Sequence, residues 1–370
     1  MGLLKRIQLR GFKSIKSMDL ELRALNVMIG ANGSGKSNLI SYFKLLHAMV
    51  TRNIGLDVFV TESGNSQSLL HHGSKITPRI DGELVYENDH GEYLYTQSLL
   101  AAPRDRLAFG EENIDLVAVN TGQRVNLRLA MGEGYLVSRL DDWAYQGDPG
   151  AFAFGPLFRQ SRPFHFNDTS STSPIRQSVY AEDNQKLSAD GRNLAAVLAW
   201  LKTGEDKRPY QRIISTIKLI APYFGDFEFA DGGRQRLLDW HEKGSDILFG
   251  PHQISDGTLR AMCLITLLML PHDQLPSIII VDEPELGLHP YAIEIVASLF
   301  KSAAERTQVL VSTQSTAFLN HFEPEDIVVV DRVGKESRFS RPDAGKLREW
   351  LEDYTLGEVW EKNVIGGGPH

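Results

Sequence analysis

The chain has 370 residues, 39 basic against 47 acidic for a net charge of −8, with 42% hydrophobic and 23% charged residues and one cysteine. This is the composition of a folded globular protein of one or two domains. It excludes a largely disordered chain, a disulfide-stapled scaffold and a protein drawn to nucleic acid by bulk charge alone.

The opening MGLLKRIQLRGF alternates like a strand and does not read as a secretory leader. The apolar runs Leu264–Leu270 and Ile278–Val281 are too short to span a bilayer, so a cytoplasmic protein without a membrane partner is expected. Leu4 to Leu9 and Met18 to Leu22 read as strands around a turn at Gly11-Phe12-Lys13-Ser14. Leu25 to Ile29 is a third strand that runs into glycine-rich sequence, and a helix is predicted from Lys36 to His47 with Leu39, Ile40, Phe43 and Leu46 on one face.

Between Gly55 and Gly250 the character changes. ELVYE, YLYTQSLL and NLRLAMGEGYLVSRL read as antiparallel strands, and SPIRQSVYAEDN as loop. Asn193 to Gly204 and YQRIISTIKLIAPYF read as helices, and FEFADGGRQRLLDWHEKGSDILFG as a short β meander. Arg159, Arg162, Arg176, Lys186 and Arg192 recur here; scattered solvated charge is the simpler reading, a basic face the other. After Gly250 come a helix from Thr258 to Leu270 stopped by Pro271, a strand Ser277–Val281, a helix Pro290–Ala304, and strands Gln308–Ser312 and Ile327–Val330. Strands alternating with helices argue for an α/β fold with a mostly parallel sheet. A split core, residues 1–55 and 250–370, is expected to flank an inserted β-rich and helical lobe, residues 56–249.

GANGSGKS, Gly30 to Ser37, fills the pattern G-x-x-x-x-G-K-[ST] between a strand and a helix. Gly30, Asn32, Gly33, Ser34 and Gly35 let the backbone wrap closely, with its N–H groups aimed at phosphate oxygens. Lys36 can bridge the β- and γ-phosphates, the Ser37 hydroxyl can ligate Mg²⁺, and the helix aims its positive end at the same anion. ATP and Mg²⁺ are therefore the expected cofactors.

SIIIVDEPELGLHP sets four β-branched residues before Asp282 and Glu283. Such a run reads as a buried central strand, and a carboxylate pair at its end is costly without a cation or a proton. Asp282 is expected to hold Mg²⁺, and Glu283 to polarise the water that attacks the γ-phosphate. His71, His72 and His241 lack metal-ligand spacing, and no arrangement suggests acyl transfer.

In order and content these motifs resemble the ABC-type ATPases of the SMC, RecF and OLD group. IQLRGFKSI…LNVMIGANGSGKSNLI resembles their amino-terminal signature, down to Asn38 after the loop. LVSTQSTAFLN resembles their switch strand, and VDEPELGLHP their acidic strand with the following loop, in which Leu288-His289-Pro290 would lie at a subunit interface. LREWLEDYTLGEVWEKNVIGGGP, FHFNDTS and DGRNLAAVLAWL resemble segments of a small bacterial group of ATPases of this length. The implied fold is a P-loop ABC-type ATPase head with a mostly parallel core sheet, an antiparallel β subdomain and an inserted β/helical lobe.

The resemblance further implies that Ile254 to Thr258 is a signature loop capping the γ-phosphate held by a second chain. ATP would then join two heads, head to tail, as a homodimer or higher oligomer. Ser255 supplies a hydroxyl, Gly257 permits close approach, and the helix from Thr258 presents free N–H groups. Asp256 departs from the commoner glycine, and a carboxylate there repels a triphosphate; capping the helix and binding the partner's backbone are its two readings. Gln314 stands where many relatives carry histidine. A neutral amide donates a weaker hydrogen bond than a charged donor, so slow turnover is expected, with Lys36, Glu283 and Gln314 as the catalytic set. Lys13 matches a basic residue that leans over the nucleotide in some relatives. The glutamine of the Q-loop is open between Gln97 and Gln160. The implied role is an ATPase acting with DNA, in repair or in defence against phage, with any nuclease or toxin activity in a separate partner protein. A slow ATP-dependent switch that regulates a protein partner, without direct DNA action, is the alternative. A transporter subunit is disfavoured by the GFKSI stretch and the β-rich insert.

Overall fold

The computed structural model describes residues 2–51, 55–118, 124–128, 134, 136–145, 147, 149–230 and 233–368. In chain order the elements are β1 (Leu3–Phe12), β2 (Ile15–Glu21), β3 (Leu25–Ile29), α1 (Lys36–Val50), α2 (Gly55–Glu62), α3 (Ser66–Leu69), β4 (Arg79–Asn88), β5 (Gly91–Ala102), β6 (Arg106–Ala118), β7 (Arg124–Arg128), α4 (Leu140–Tyr145) and α5 (Pro149–Gln160). Then follow β8 (Val179–Tyr180), α6 (Leu194–Thr203), α7 (Arg208–Ile220), β9 (Phe224–Glu228), β10 (Gln235–Arg236), β11 (Asp239–Glu242), β12 (Leu248–Phe249), α8 (Asp256–Met269), β13 (Ile278–Asp282) and α9 (Pro290–Ala304). The chain continues with β14 (Gln308–Thr313), α10 (Thr316–Leu319), β15 (Ile327–Val333), β16 (Glu336–Ser340), α11 (Ala344–Leu351) and α12 (Leu356–Glu361). No helix among the described residues is long and apolar enough to cross a membrane.

The chain forms two compact units. The first comprises Met1–Arg162, Pro276–Ile280 and Thr307–His370, the second Pro163–Leu275 and Val281–Arg306. In the first, a five-stranded sheet has the order β13-β14-β3-β15-β16, with β14 and β15 both parallel to β3 and β16 antiparallel at the edge. All five residues of β3 are buried, as a strand covered on both faces requires. A six-stranded antiparallel sheet, β2-β1-β4-β5-β6-β7, joins strands from both sides of residue 55. Leu4, Ile7 and Leu9 of β1, Tyr93 and Tyr95 of β5, Phe43 of α1, Phe154 and Phe158 of α5, and Ile280, Leu310 and Val328 of the parallel sheet share one core. Eleven residues of α1 are buried, so the helix is held by packing on more than its one predicted apolar face.

The expected strand in NLRLAMGEGYLVSRL is only partly described: β7 takes its first residues, 129–133 and 135 lie outside the described residues, and Leu140 begins a helix.

In the second unit β9, β11 and β12 form a three-stranded meander. Phe224, Trp240 and Phe249 stack along it. Gln235–Arg236 leaves this meander and pairs with Val179–Tyr180, from the stretch expected to be loop. Strands of two residues carry no period for a sequence pattern to reveal.

Candidate functional site

In the first unit β3 delivers the chain directly into the loop Gly30–Ser37. Gly33 has φ +78 and Gly35 φ +116, conformations that only glycine adopts readily. Gly35 is the N-cap of α1 and no side chain caps that helix, so its first-turn N–H groups face the loop. A Cβ on Gly35 would run into Ser337 Oγ, and one on Gly30 into the Val330 carbonyl. The buried Lys36 ammonium donates to the carbonyls of Gly30, at 2.5 Å, and Ala31, at 3.3 Å. Ser37 and Asn32 are exposed, and Ser34 is buried with its hydroxyl lacking a partner among the described residues. This lining fits a phosphate chain: a glycine cradle, an open helix start, an ammonium and an accessible hydroxyl.

Several neighbours brace the loop. Asn38 Nδ2 donates to Ser14 Oγ, which shares a hydrogen bond of 2.6 Å with Ser337 Oγ, and Ser337 Oγ bonds the Ser34 carbonyl. Arg332 donates to the Gly33 carbonyl at 2.9 Å. Gly367 accepts from the Ala31 N–H at 3.0 Å and from the Trp360 indole at 2.9 Å, so the tail at Gly367 lies against the loop. Lys13, with φ +49, donates to Ser41 Oγ of α1 at 2.8 Å; burial, aided by Lys44, holds its ammonium below the ordinary value. Gln314 is half-buried between β14 and α10. Gln97 donates to Tyr42 at 3.2 Å, and Gln160 accepts from Ser277 N at 2.6 Å, so both open glutamines are engaged in structural bonds.

In the second unit the acidic strand end turns sharply. Asp282 closes β13, and Glu283 takes φ +48, an uncommon backbone for a residue with a Cβ. Both are half-buried. His289 is the N-cap of α9, accepting from Tyr291 N, and Leu286 and Tyr291 are exposed beside it.

The second unit also holds the signature stretch. Ser255, not Asp256, caps α8, accepting from Thr258 N at 3.3 Å and donating to Thr258 Oγ1 at 2.8 Å. Asp256 therefore does not cap the helix. Its carboxylate pairs with Arg176 at 2.7 Å. Gly257 is close-packed: a Cβ there would sit 2.5 Å from the Gly287 carbonyl. Arg260, one turn into α8, donates to Phe166 O and Asn167 O, both at 3.1 Å, and to Leu286 O. Burial lowers the hold of its guanidinium on its proton. Thus the signature helix is tied both to the turn after Glu283 and to the FHFNDTS segment. Arg260 does not stand out as a functional residue in the sequence, because it acts on backbone carbonyls far along the chain, and Arg176 enters there only as part of a possible basic face. Arg176 is buried and Arg192 pairs with Asp190, so these two form no basic face.

These features are those of a P-loop nucleotide site. A model of the family described as "AAA domain, putative AbiEii toxin, Type IV TA system" matches residues 25–92 and 102–320, and the chain belongs to that family. Over 132 residues it is 28% identical to the DNA replication and repair protein RecF of Rhodococcus erythropolis (strain PR4 / NBRC 100887), covering 32% of this chain and 32% of that protein. The chain thus spans about a third of the curated relative it matches. Among solved structures it is similar to the SmcHead bound to the C-winged helix domain of ScpA, with TM-score 0.59, 13% identity and coverage of 94% of this chain and 99% of that one. It is also similar to the Smc head domain with an extended coiled coil bound to the C-terminal domain of ScpA derived from Pyrococcus furiosus, with TM-score 0.57, 14% identity and coverage of 95% and 99%. The expected fold class holds over nearly the whole chain.

Proposed function

We propose that this chain binds and slowly hydrolyses ATP with Mg²⁺, and that ATP joins two copies head to tail. The observation that carries the reading is the loop Gly30–Ser37, whose left-handed glycines open an uncapped helix start beside a buried ammonium. Gly30, Asn32, Gly33, Ser34, Gly35, Lys36 and Asn38 hold the phosphates, with Lys13 leaning on their helix. Ser37 and Asp282 would hold Mg²⁺, which supplies charge neutralisation at the phosphate oxygens. Glu283 takes the proton of the attacking water, and Gln314 donates a hydrogen bond to the γ-phosphate. Ser255, Asp256 and Gly257 serve the nucleotide of the other copy, and the exposed Leu286 and Tyr291 suit the same contact. Residues 1–55 and 250–370 make the ATPase core of this scheme, and 56–249 its inserted lobe.

The name of the RecF relative supports action on or near DNA in repair, and the family description, which names a putative toxin and a type IV TA system, supports a role in defence; any toxin or nuclease activity is assigned here to a separate protein. The setting is cytoplasmic. The neutral amide at Gln314 favours a second reading, a slow switch that regulates a protein partner without touching DNA. Steady-state phosphate release, with Glu283→Gln as blank, and sizing with and without a non-cleavable ATP analogue test the proposal. Lys36→Ala should abolish nucleotide binding, and Glu283→Gln should retain it and stay associated. A wild-type chain that binds the analogue yet remains monomeric refutes the two-copy reading. DNA cleavage by the purified chain with Mg²⁺ refutes the separate effector. Turnover that DNA leaves unchanged favours the switch.

A further inference from the structure

We propose that Arg176 is a positioning residue for the signature loop, and that its charge is what allows an aspartate to stand at position 256. The inference rests on the reading that this loop serves a triphosphate held by a second copy. Arg176 is 5% exposed while the side chain of Asp256 is 70% exposed. The guanidinium therefore lies beneath the loop and the carboxylate on its surface.

Every arm of the fork is used. Nε donates to Thr169 O at 2.9 Å, Nη1 to Pro251 O and to Ile254 O at 3.1 Å, and Nη2 to Asp256 Oδ1 at 2.7 Å. Pro251 and Ile254 are the ends of the short turn that leads into Ser255, so their carbonyls set the path of the backbone that presents the Ser255 hydroxyl and the first N–H groups of α8. A planar five-donor cation can hold three acceptors of this loop at fixed angles; a single ammonium cannot. The segment that carries Arg176 is itself anchored to α8, through Phe166 O and Asn167 O on Arg260. It also packs against the DGRN motif: His165 N donates to Ala189 O at 2.7 Å, and a Cβ on Gly191, at φ +73, would touch Ile175, Cys263 and Phe166. FHFNDTS and DGRN thus form a brace under the signature helix, with Arg176 as its contact to the loop.

The electrostatic half follows from the same bond. A lone carboxylate at the mouth of a helix start repels an incoming triphosphate, whereas the pair with Arg176 is neutral overall. The experiment compares Arg176→Gln, Asp256→Asn and the double variant with wild type. Association driven by a non-cleavable ATP analogue is read by sizing and light scattering, and nucleotide binding by the monomer is measured in parallel. Arg176→Gln, which leaves the carboxylate bare, should weaken association at least about tenfold, the scale of one charge pair near a surface. Asp256→Asn removes the repelling carboxylate and keeps the fork on Pro251 and Ile254, so it should associate more tightly than Arg176→Gln, and the double variant, which lacks both the carboxylate and the fork, should fall between those two.

Arg176→Gln that associates like wild type, or a double variant as weak as Arg176→Gln, overturns the role. Should Arg176→Gln not fold, Arg176→Lys keeps the charge without the fork; it should associate more weakly than wild type, and wild-type association by it overturns the positioning claim. A wild-type chain that binds the analogue and stays monomeric instead strikes the two-copy reading beneath the proposal.

Discussion

Glu283 separates the chemistry of this site from its architecture, because its backbone and its carboxylate make opposite predictions. It follows the buried strand Ile278–Asp282 at φ +48. A residue with a Cβ in the left-handed region costs ~1–2 kcal/mol. Glycine removes that cost but adds ~0.5–1 kcal/mol through the freedom of the unfolded chain. Glu283→Gly is therefore expected to be as stable as wild type, or up to ~1.5 kcal/mol more stable. Glu283→Gln keeps the backbone cost and the side-chain shape, and should change stability by less than ~0.5 kcal/mol. Both variants should lose turnover by ~10²–10⁴-fold, the usual contribution of a general base. Denaturant unfolding followed by tryptophan fluorescence gives the first quantity, and steady-state phosphate release the second. A loss of more than ~1 kcal/mol in Glu283→Gly would refute the strain argument, since the side chain would then be holding the turn. Turnover of Glu283→Gln within about threefold of wild type would refute the catalytic role.

Gln314→His should raise steady-state hydrolysis several-fold or leave it unchanged, because a charged donor bonds the γ-phosphate more strongly; a large loss in the same assay would show that the amide has a specific task. Gly35→Ala places a Cβ at φ +116 against Ser337 Oγ, and should weaken nucleotide binding at least about tenfold and destabilise by ~2 kcal/mol; titration with a fluorescent analogue and a thermal melt check the two effects. Glu112 is buried and accepts from Tyr95 and Ser138 at 2.7 and 2.6 Å; burial holds its carboxyl above the ordinary 4.5, against the lowering effect of those donors. In the window between the ordinary and the raised value the folded state binds more protons than the unfolded one. Stability should accordingly fall as pH rises through that window and level off above it. Glu112→Gln should flatten this part of the pH–stability curve, and a curve identical to wild type would exclude Glu112 as its source.

What the sequence made legible is what repeats locally. The strand–loop–helix around Gly30–Ser37 and the apolar run ending in Asp282 are contiguous patterns whose period and residue types dictate the structure, and Leu25–Ile29 and Pro290–Ala304 appear with the boundaries expected. Val179–Tyr180, in a stretch that reads as loop, pairs across 55 residues with Gln235–Arg236, and two-residue strands have no periodicity to announce such a pairing. The supports of the site were hidden for a different reason. Arg176 reaches Pro251 and Ile254 some 75 and 78 positions away, and the Gly367 carbonyl reaches Ala31 from the far end of the chain; in each bond at least one partner is a backbone group, which every residue type carries. A side chain that binds backbone leaves no complementary residue to recognise. Only its own oddity can betray it, and here that oddity was the aspartate at 256. An acid where glycine is commoner is costly beside a triphosphate unless a cation lies under it, and a buried arginine is costly unless all its donors are used. Each of these two residues removes the objection to the other, which is why they should be changed together.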